Sequence, residues 1–341
     1  MAIFLVGLGF FILLVSLIAI GSSSNKAYIP KDGGVLVIND KSYVIDSPNE
    51  NSSDVFSFRS ENENILLYDI LQVIEKAKND VRIKGISIET DFSNAGITQL
   101  ENIRNALQEF KKSGKFVYAY GNTVSQPSYY LGSVADQYFL NPAGGIELKG
   151  MSTEVTFFKN FAEKLGVGIE VLRHGKYKAA VEPFLRDDIS PENRQQLSVL
   201  LNDLWGNMTK QMAASRKIDT AQFRTIVDSL YGIIPENGVK YRLADRLAQK
   251  SDYEEAIKSK LHIKKGETLN RISIKDYLSS IETPITTGQV AVLYASGNIM
   301  NGDSHDGIQS RRFVKYIREI AGDNNVKAVV VRINSPGGSA N

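Results

Sequence analysis

Apolar residues in this chain gather in short runs, and their spacing switches between the two periods that mark strands and helices. The first run, Ala2 to Ile20, has no charged side chain. At about 1.5 Å per residue it is long enough to cross a bilayer, which predicts an uncleaved membrane anchor. A cleaved signal peptide competes with that reading, because Ala19-Ile20-Gly21 offers small residues at a suitable spacing. Only the α-amino group precedes the run, while Lys26 and Lys31 follow it, so flanking charge does not set the orientation. After a polar linker, Gly34 to Asp40 ("GVLVIND") reads as a buried strand, and the polar stretch that follows reads as an inserted loop. Between Ile65 and Asp80, Leu66, Ile70, Val73, Ile74 and Ala77 fall on one helical face. A strand ("IKGISIET") comes next, then an amphipathic helix from Thr98 that Gly114 closes. "KFVYAYG" and "DQYFLNP" read as strands with a short helix, "PSYYLGSVA", between them. This alternation predicts an α/β fold with mostly parallel pairing.

Ser190 is a good N-cap with Pro191 at the first helical position. Leu197, Leu200, Leu201, Leu204, Met208 and Met212 then recur at helical spacing, a stripe that reads as a core or subunit contact. Further on, "QVAVLYASGNI" is a strand, Arg311 to Ile320 a helix, and "NVKAVVVRINSPGG" a strand and turn. This order repeats that of the Asp80–Gly96 region, "DVRIKGISIETDFSNAG". A first copy is therefore expected near Val35 to Leu261, and a second copy, cut short, from near Gln289. The expected organisation is an anchor or signal segment over 1–24, a first repeat with a helical extension over 25–284, and the start of a second repeat over 285–341.

Composition narrows the chemistry. The 40 basic and 38 acidic residues among 341 are well mixed, with a net charge of +2, so nucleic acid is not an expected partner. The absence of cysteine excludes disulfides, a cysteine nucleophile and thiolate metal sites. His174, His262 and His305 are scattered without ligand-spaced partners, so no metal or cofactor is expected. Asp187 and Asp188 adjoin Arg186, which reads as an ion-paired loop. No serine lies in a Gly-x-Ser-x-Gly elbow, and Ser215, in "MAASR", lies on the long helix without following glycines.

Two segments remain. In "RINSPGG", the glycines Gly337 and Gly338 follow a strand and can turn a backbone N–H into a cleft, as an oxyanion hole requires. An ordinary Pro-Gly-Gly turn is the plain alternative. In "RHGKYKAAVEPFLRDDISPENR", Lys176 and Lys178 lie between a predicted strand and an apolar patch, and Ala179, Ala180 and Val181 follow Lys178. A lysine held against small apolar residues is desolvated toward its neutral form and can act as a general base; a solvated surface lysine is the plain alternative.

"GKYKAAVEPFLRDDISPENR", the two-copy layout, the N-terminal apolar run and "RINSPGGS" together resemble the signal peptide peptidase A (protease IV) family in its long, duplicated bacterial form. The "INSPGG" turn is shared more widely, with the Clp protease proteolytic subunit and the crotonase-like spirals. The resemblance implies a crotonase/Clp-protease-like fold of ββα spiral repeats, with the first copy complete and the second truncated. It implies a membrane-bound serine endopeptidase with a Ser–Lys dyad that degrades cleaved signal peptides and other apolar peptides. Lys178 maps onto the base, and Gly337 and Gly338 map onto the oxyanion turn, with Gly338 the favoured donor. The family's nucleophile lies in a Ser-Gly-Gly turn downstream of the glycines, so none is expected in this chain, which should be inactive alone. Gln126 stands at the equivalent position of the first copy, with Ser125 and Ser128 as loop neighbours. The resemblance also implies a homo-oligomer, a tetramer, in the bacterial inner (cytoplasmic) membrane, single-pass, with its soluble part facing the periplasm. A non-catalytic crotonase-like scaffold that binds membrane proteins or peptides is the alternative; an acyl-CoA-processing crotonase shares the fold but predicts no membrane span.

Overall fold

The computed structural model describes residues 29–39, 44–47, 64–89, 95–172, 174–264, 266–282, 288–303 and 307–339. The Ala2–Ile20 run and most of the polar insertion lie outside them. Among the described residues no helix is long and apolar enough to cross a membrane.

The chain opens with strands β1 (Gly34–Ile38), β2 (Val44–Ile45) and β3 (Ile65–Leu66), followed by helix α1 (Leu67–Asn79). Then come β4 (Ile83–Ile88), α2 (Ile97–Lys111), β5 (Phe116–Val124), α3 (Gln126–Gly132) and β6 (Gln137–Ile146). A helical stretch follows, with α4 (Lys159–Lys164), α5 (Glu182–Leu185), α6 (Pro191–Arg216), α7 (Thr220–Asp228) and α8 (Pro235–Lys240). It gives way to β7 (Arg246–Leu247), α9 (Lys250–Lys260), β8 (Arg271–Ser273) and α10 (Ile274–Ser279). The last elements are β9 (Gln289–Ser296), β10 (Ile299–Met300), β11 (Ile308–Gln309), α11 (Ser310–Gly322) and β12 (Val326–Asn334).

Six strands form one sheet in the order β7-β6-β5-β4-β1-β8, and every neighbouring pair is parallel. A parallel sheet is covered on both faces, and β5 shows how its sequence meets that demand. Val117 and Ala119 join the large core with α1 and α2, whereas Phe116, Tyr118 and Tyr120 join Tyr253 and Ile257 of α9 on the other side. Strand β8, which the apolar pattern did not single out, completes the edge beside β1. Glu89 ties that edge to α9: it accepts two bonds from Arg271, at 2.8 and 2.6 Å, and pairs with Lys250 at 2.5 Å. Strands β9 and β12 pair in parallel as a separate two-stranded sheet, with α11 between them in sequence. The order strand, helix, strand, turn expected for the distal region is therefore present.

Ser190 caps α6, accepting from Asn193 N at 3.1 Å with Pro191 as the first helical residue, as its sequence predicts. The apolar stripe of α6 is only half covered: Met208 and Met212 are buried, while Leu200 is exposed. The buried half is anchored by Arg104 of α2. Its guanidinium donates to Tyr130 O, Ser133 Oγ (2.9 Å), Gln211 O (3.0 Å) and Ser215 Oγ (2.6 Å), and stacks over the Tyr130 ring at 5.0 Å. Ser215 thus has a structural use as an acceptor for Arg104. Burial pushes the pKa of Arg104 down to about 10, against the pull of Tyr130 and Tyr129, so it stays charged at neutral pH. Arg104→Ala is expected to destabilise the fold by about 3–5 kcal/mol, through the void and the orphaned acceptors of α3 and α6. Urea unfolding of the two chains measures it; a loss below about 1 kcal/mol would remove Arg104 from this role.

Candidate active site

The two segments singled out in the sequence are carried by different parts of the fold. Lys178 precedes a single 3₁₀ turn, Ala179–Val181, that runs directly into α5. The expected strand before the lysines is not formed: residues 165–172 and 174–178 hold no strand, because no described strand lies beside them to pair with. Phe158 N donates to Pro183 O at 2.6 Å and the Phe158 and Phe184 rings stack, which folds the lysine segment back on itself. The Lys178 side chain is exposed, and so are Leu172, Tyr177 and Phe184 around it. Within this chain Lys178 is therefore not desolvated by Ala179–Val181, whose short turn covers too little surface to exclude water.

Glu182 was not singled out in the sequence. It is 1 % exposed and accepts from Ser190 Oγ (2.5 Å), Ser190 N (3.3 Å) and Asn193 Nδ2 (3.1 Å). A carboxylate at the start of a long helix is favoured by the helix dipole and by the unpaired N–H groups there. The sequence signal for it was an acid eight residues ahead of an N-cap serine, too far for the usual capping box.

The glycine turn follows β12. Gly337 N donates to Ser335 Oγ at 3.1 Å, Ile299 N donates to Gly337 O at 2.9 Å, and Ser339 N donates to Ile299 O at 2.9 Å. Gly338 bridges to Ile299 in parallel, and a Cβ built on it would lie 2.0 Å from Ile299 O, so only glycine fits. With the Gly337 N–H taken by Ser335, the Gly338 N–H is the one without an acceptor among the described residues. No hydrogen bond joins these two glycines to the Lys178 segment among the described residues.

An ion pair links the turn-bearing strand to the residue after β2. Arg332 of β12 meets Asp46 at 2.7 Å, and Asp46 accepts from Gln99 Nε2 at 3.0 Å. Burial alone would raise the Asp46 pKa; the hydrogen bonds from Gln99 and Arg332 outweigh it, and the net shift is downward. Gln99 in turn accepts from Gly96 N at 2.8 Å, and Gly96 sits at φ −68° as the N-cap of α2. Gly96 therefore spends its N–H on a helix cap, unlike Gly338.

Gln126, at the first turn of α3, is a clamp. Its Oε1 accepts from Lys149 N (3.1 Å) and Gly150 N (3.0 Å), and its Nε2 donates to Gly150 O (3.0 Å). Ser125 caps the helix and lies 2.8 Å from Ser128, Oγ to Oγ. No group of three or more His, Asp or Glu side chains could hold a metal ion among the described residues.

A parallel α/β sheet with a lysine loop and a glycine turn fits a Clp-protease-like peptidase fold. Residues 109–264 match peptidase family S49. The chain is 35% identical to Protease 4 of Salmonella typhi over 97% of its own length and 57% of that protein's. It is 30% identical to Protease 4 of Haemophilus influenzae, over 98% of this chain and 57% of the relative. It is 28% identical to the chloroplastic serine protease SPPA of Arabidopsis thaliana, over 82% and 42% respectively. The chain belongs to peptidase family S49, that of signal peptide peptidase A. It spans 57% of the length of the two Protease 4 relatives it matches.

Proposed function

We propose that these residues are the lysine-bearing part of a membrane-bound serine endopeptidase that degrades cleaved signal peptides and other apolar peptides. The observation that carries the reading is the pair of features above: a lysine on a turn anchored to the body, and a glycine N–H left open by its turn. Lys178 is the general base and Gly338 the oxyanion donor, with Gly337 shaping the turn. The serine is contributed from outside these 341 residues. Gln126, at the equivalent position of the first repeat, has no nucleophilic atom and is committed to the Gly150 backbone.

The chemistry follows from these roles. The serine Oγ attacks the peptide carbonyl carbon as its proton passes to neutral Lys178 Nζ, and the carbonyl oxygen, now negative, accepts from Gly338 N–H. On collapse the C–N bond breaks and the leaving amine takes the proton from Lys178. Water then attacks the acyl ester, gives a proton to Lys178, and the serine leaves with that proton restored. A neutral lysine needs a dry setting. The exposed Leu172, Tyr177 and Phe184 support assembly as a homo-oligomer, a tetramer, that covers this surface. Ala2–Ile20 is the single-pass anchor in the bacterial inner membrane, with the soluble part facing the periplasm.

The test is hydrolysis of a fluorogenic apolar peptide by the purified 341-residue chain and by the full-length protein. Turnover is expected from the full-length protein alone. Substantial turnover by the 341-residue chain would overturn the placement of the serine outside it.

A further inference from the structure

Between Leu148 and Ser190 a single described residue is buried, and it is a carboxylate, Glu182. Loops are normally pinned by apolar side chains; here Phe158, Phe161, Leu165 and Phe184 all face solvent. Met151 packs on the large core and Tyr177 Oη donates to Gln195 Oε1 of α6 at 3.4 Å, but the buried side chain that fixes the segment to the body is Glu182. Glu182 holds Ser190 and Asn193 at the start of α6, whose far half is locked into the core by Met208 and Met212. Its own backbone closes the turn that begins after Lys178, since Glu182 N donates to Ala179 O, and Arg186 N donates back to Glu182 O.

Resting on the reading of Lys178 as the base, we propose that Glu182 is a positioning residue, the post that sets where Lys178 stands relative to α6. It acts on Lys178 through the turn that joins the two residues. Three residues separate the two, and the 3₁₀ turn they form leaves little slack. The carboxylate form matters because its neighbours offer three donors, and a carboxylate is an acceptor at every lone pair. Glutamine at this position keeps the shape but turns an NH₂ toward the Ser190 and Asn193 donors.

The experiment uses the full-length protein with Glu182→Gln, Ser190→Ala and Lys178→Ala, measuring kcat, KM, the pH–rate profile and Tm. Glu182→Gln is expected to lower kcat about 10- to 100-fold with KM within about twofold. The rising limb of its profile should move to higher pH, because a loosened amine is better solvated and holds its proton more firmly. Ser190→Ala removes one of the three bonds and should show the same pattern, more weakly. If Glu182→Gln lowers Tm severely, Ser190→Ala decides the matter, and a normal kcat and normal pH limb in it overturn the proposal. Wild-type kcat in Glu182→Gln, with Lys178→Ala inactive, overturns it as well. Activity retained in Lys178→Ala instead sinks the reading of the base, whatever Glu182→Gln does.

Discussion

Lys178→Ala in the full-length protein is expected to lower kcat/KM for an apolar peptide by about 10³-fold or more, while Tm stays within about 2 °C. The two halves of that expectation have separate causes. A general base contributes about 10²- to 10⁴-fold, and a serine without one is a poor nucleophile at neutral pH. The side chain is exposed in this chain and the turn it precedes is closed by backbone bonds, so its loss should leave the fold intact. Peptide capture separates the competing scaffold reading: a scaffold binds and performs equally well without the amine. Cleavage at the wild-type rate by Lys178→Ala would falsify the assignment of the base.

Gly338→Ala has the next largest expected effect. The added Cβ would lie 2.0 Å from Ile299 O and 2.6 Å from Ile299 N, and both contacts are backbone. No rotamer change relieves them, so the turn must move away from Ile299 and lose the bridge that aims its N–H. Removing one oxyanion donor costs about 10²- to 10³-fold in kcat, and a loss of that order with KM nearly unchanged is expected. Gly337→Ala is the internal comparison. No heavy atom lies within 4 Å of its built Cβ, but its φ of 108° is strained for any side chain. Its loss in kcat should be the smaller one, since the Gly337 N–H already serves Ser335 Oγ. Equal kcat for Gly338→Ala and wild type would remove Gly338 from the oxyanion site.

The paths to the two halves of the site differ in how local they are. The glycine turn was readable because the requirement is written in one place: a β-branched strand, a proline, and two residues that need no Cβ. The apolar faces of α1 and α2 and the cap at Ser190 were readable for the same reason. Each is a property of neighbours within one or two turns of chain.

Other features came from pairings across long separations, and periodicity carries no trace of these. Strand β8 has three residues and no pattern of its own; it is a strand because β1 offers an open edge. Gln126 reads as the loss of a nucleophile, and only the approach of Lys149 and Gly150 turns it into a clamp. Arg104 reads as an ordinary helix arginine on an amphipathic helix, yet it ends without water contact among α2, α3 and α6. Lys178 and Glu182 exchange the burial that their neighbours predicted. The lysine beside three small apolar residues is exposed, and the glutamate beside proline and phenylalanine is the buried group.

The sequence by itself determined the α/β alternation, the strand, helix, strand and turn of the distal region, and the motif that points to family S49, because these depend on local sterics and on side chains close in the chain; that only glycine fits at Gly338 was decided by the approach of Ile299. Tertiary structure alone decided which strands meet, which polar side chains are buried, and what holds the lysine turn to α6. Burial is set by what arrives from elsewhere in the fold, and a carboxylate is buried where backbone and side-chain donors converge on it from another element.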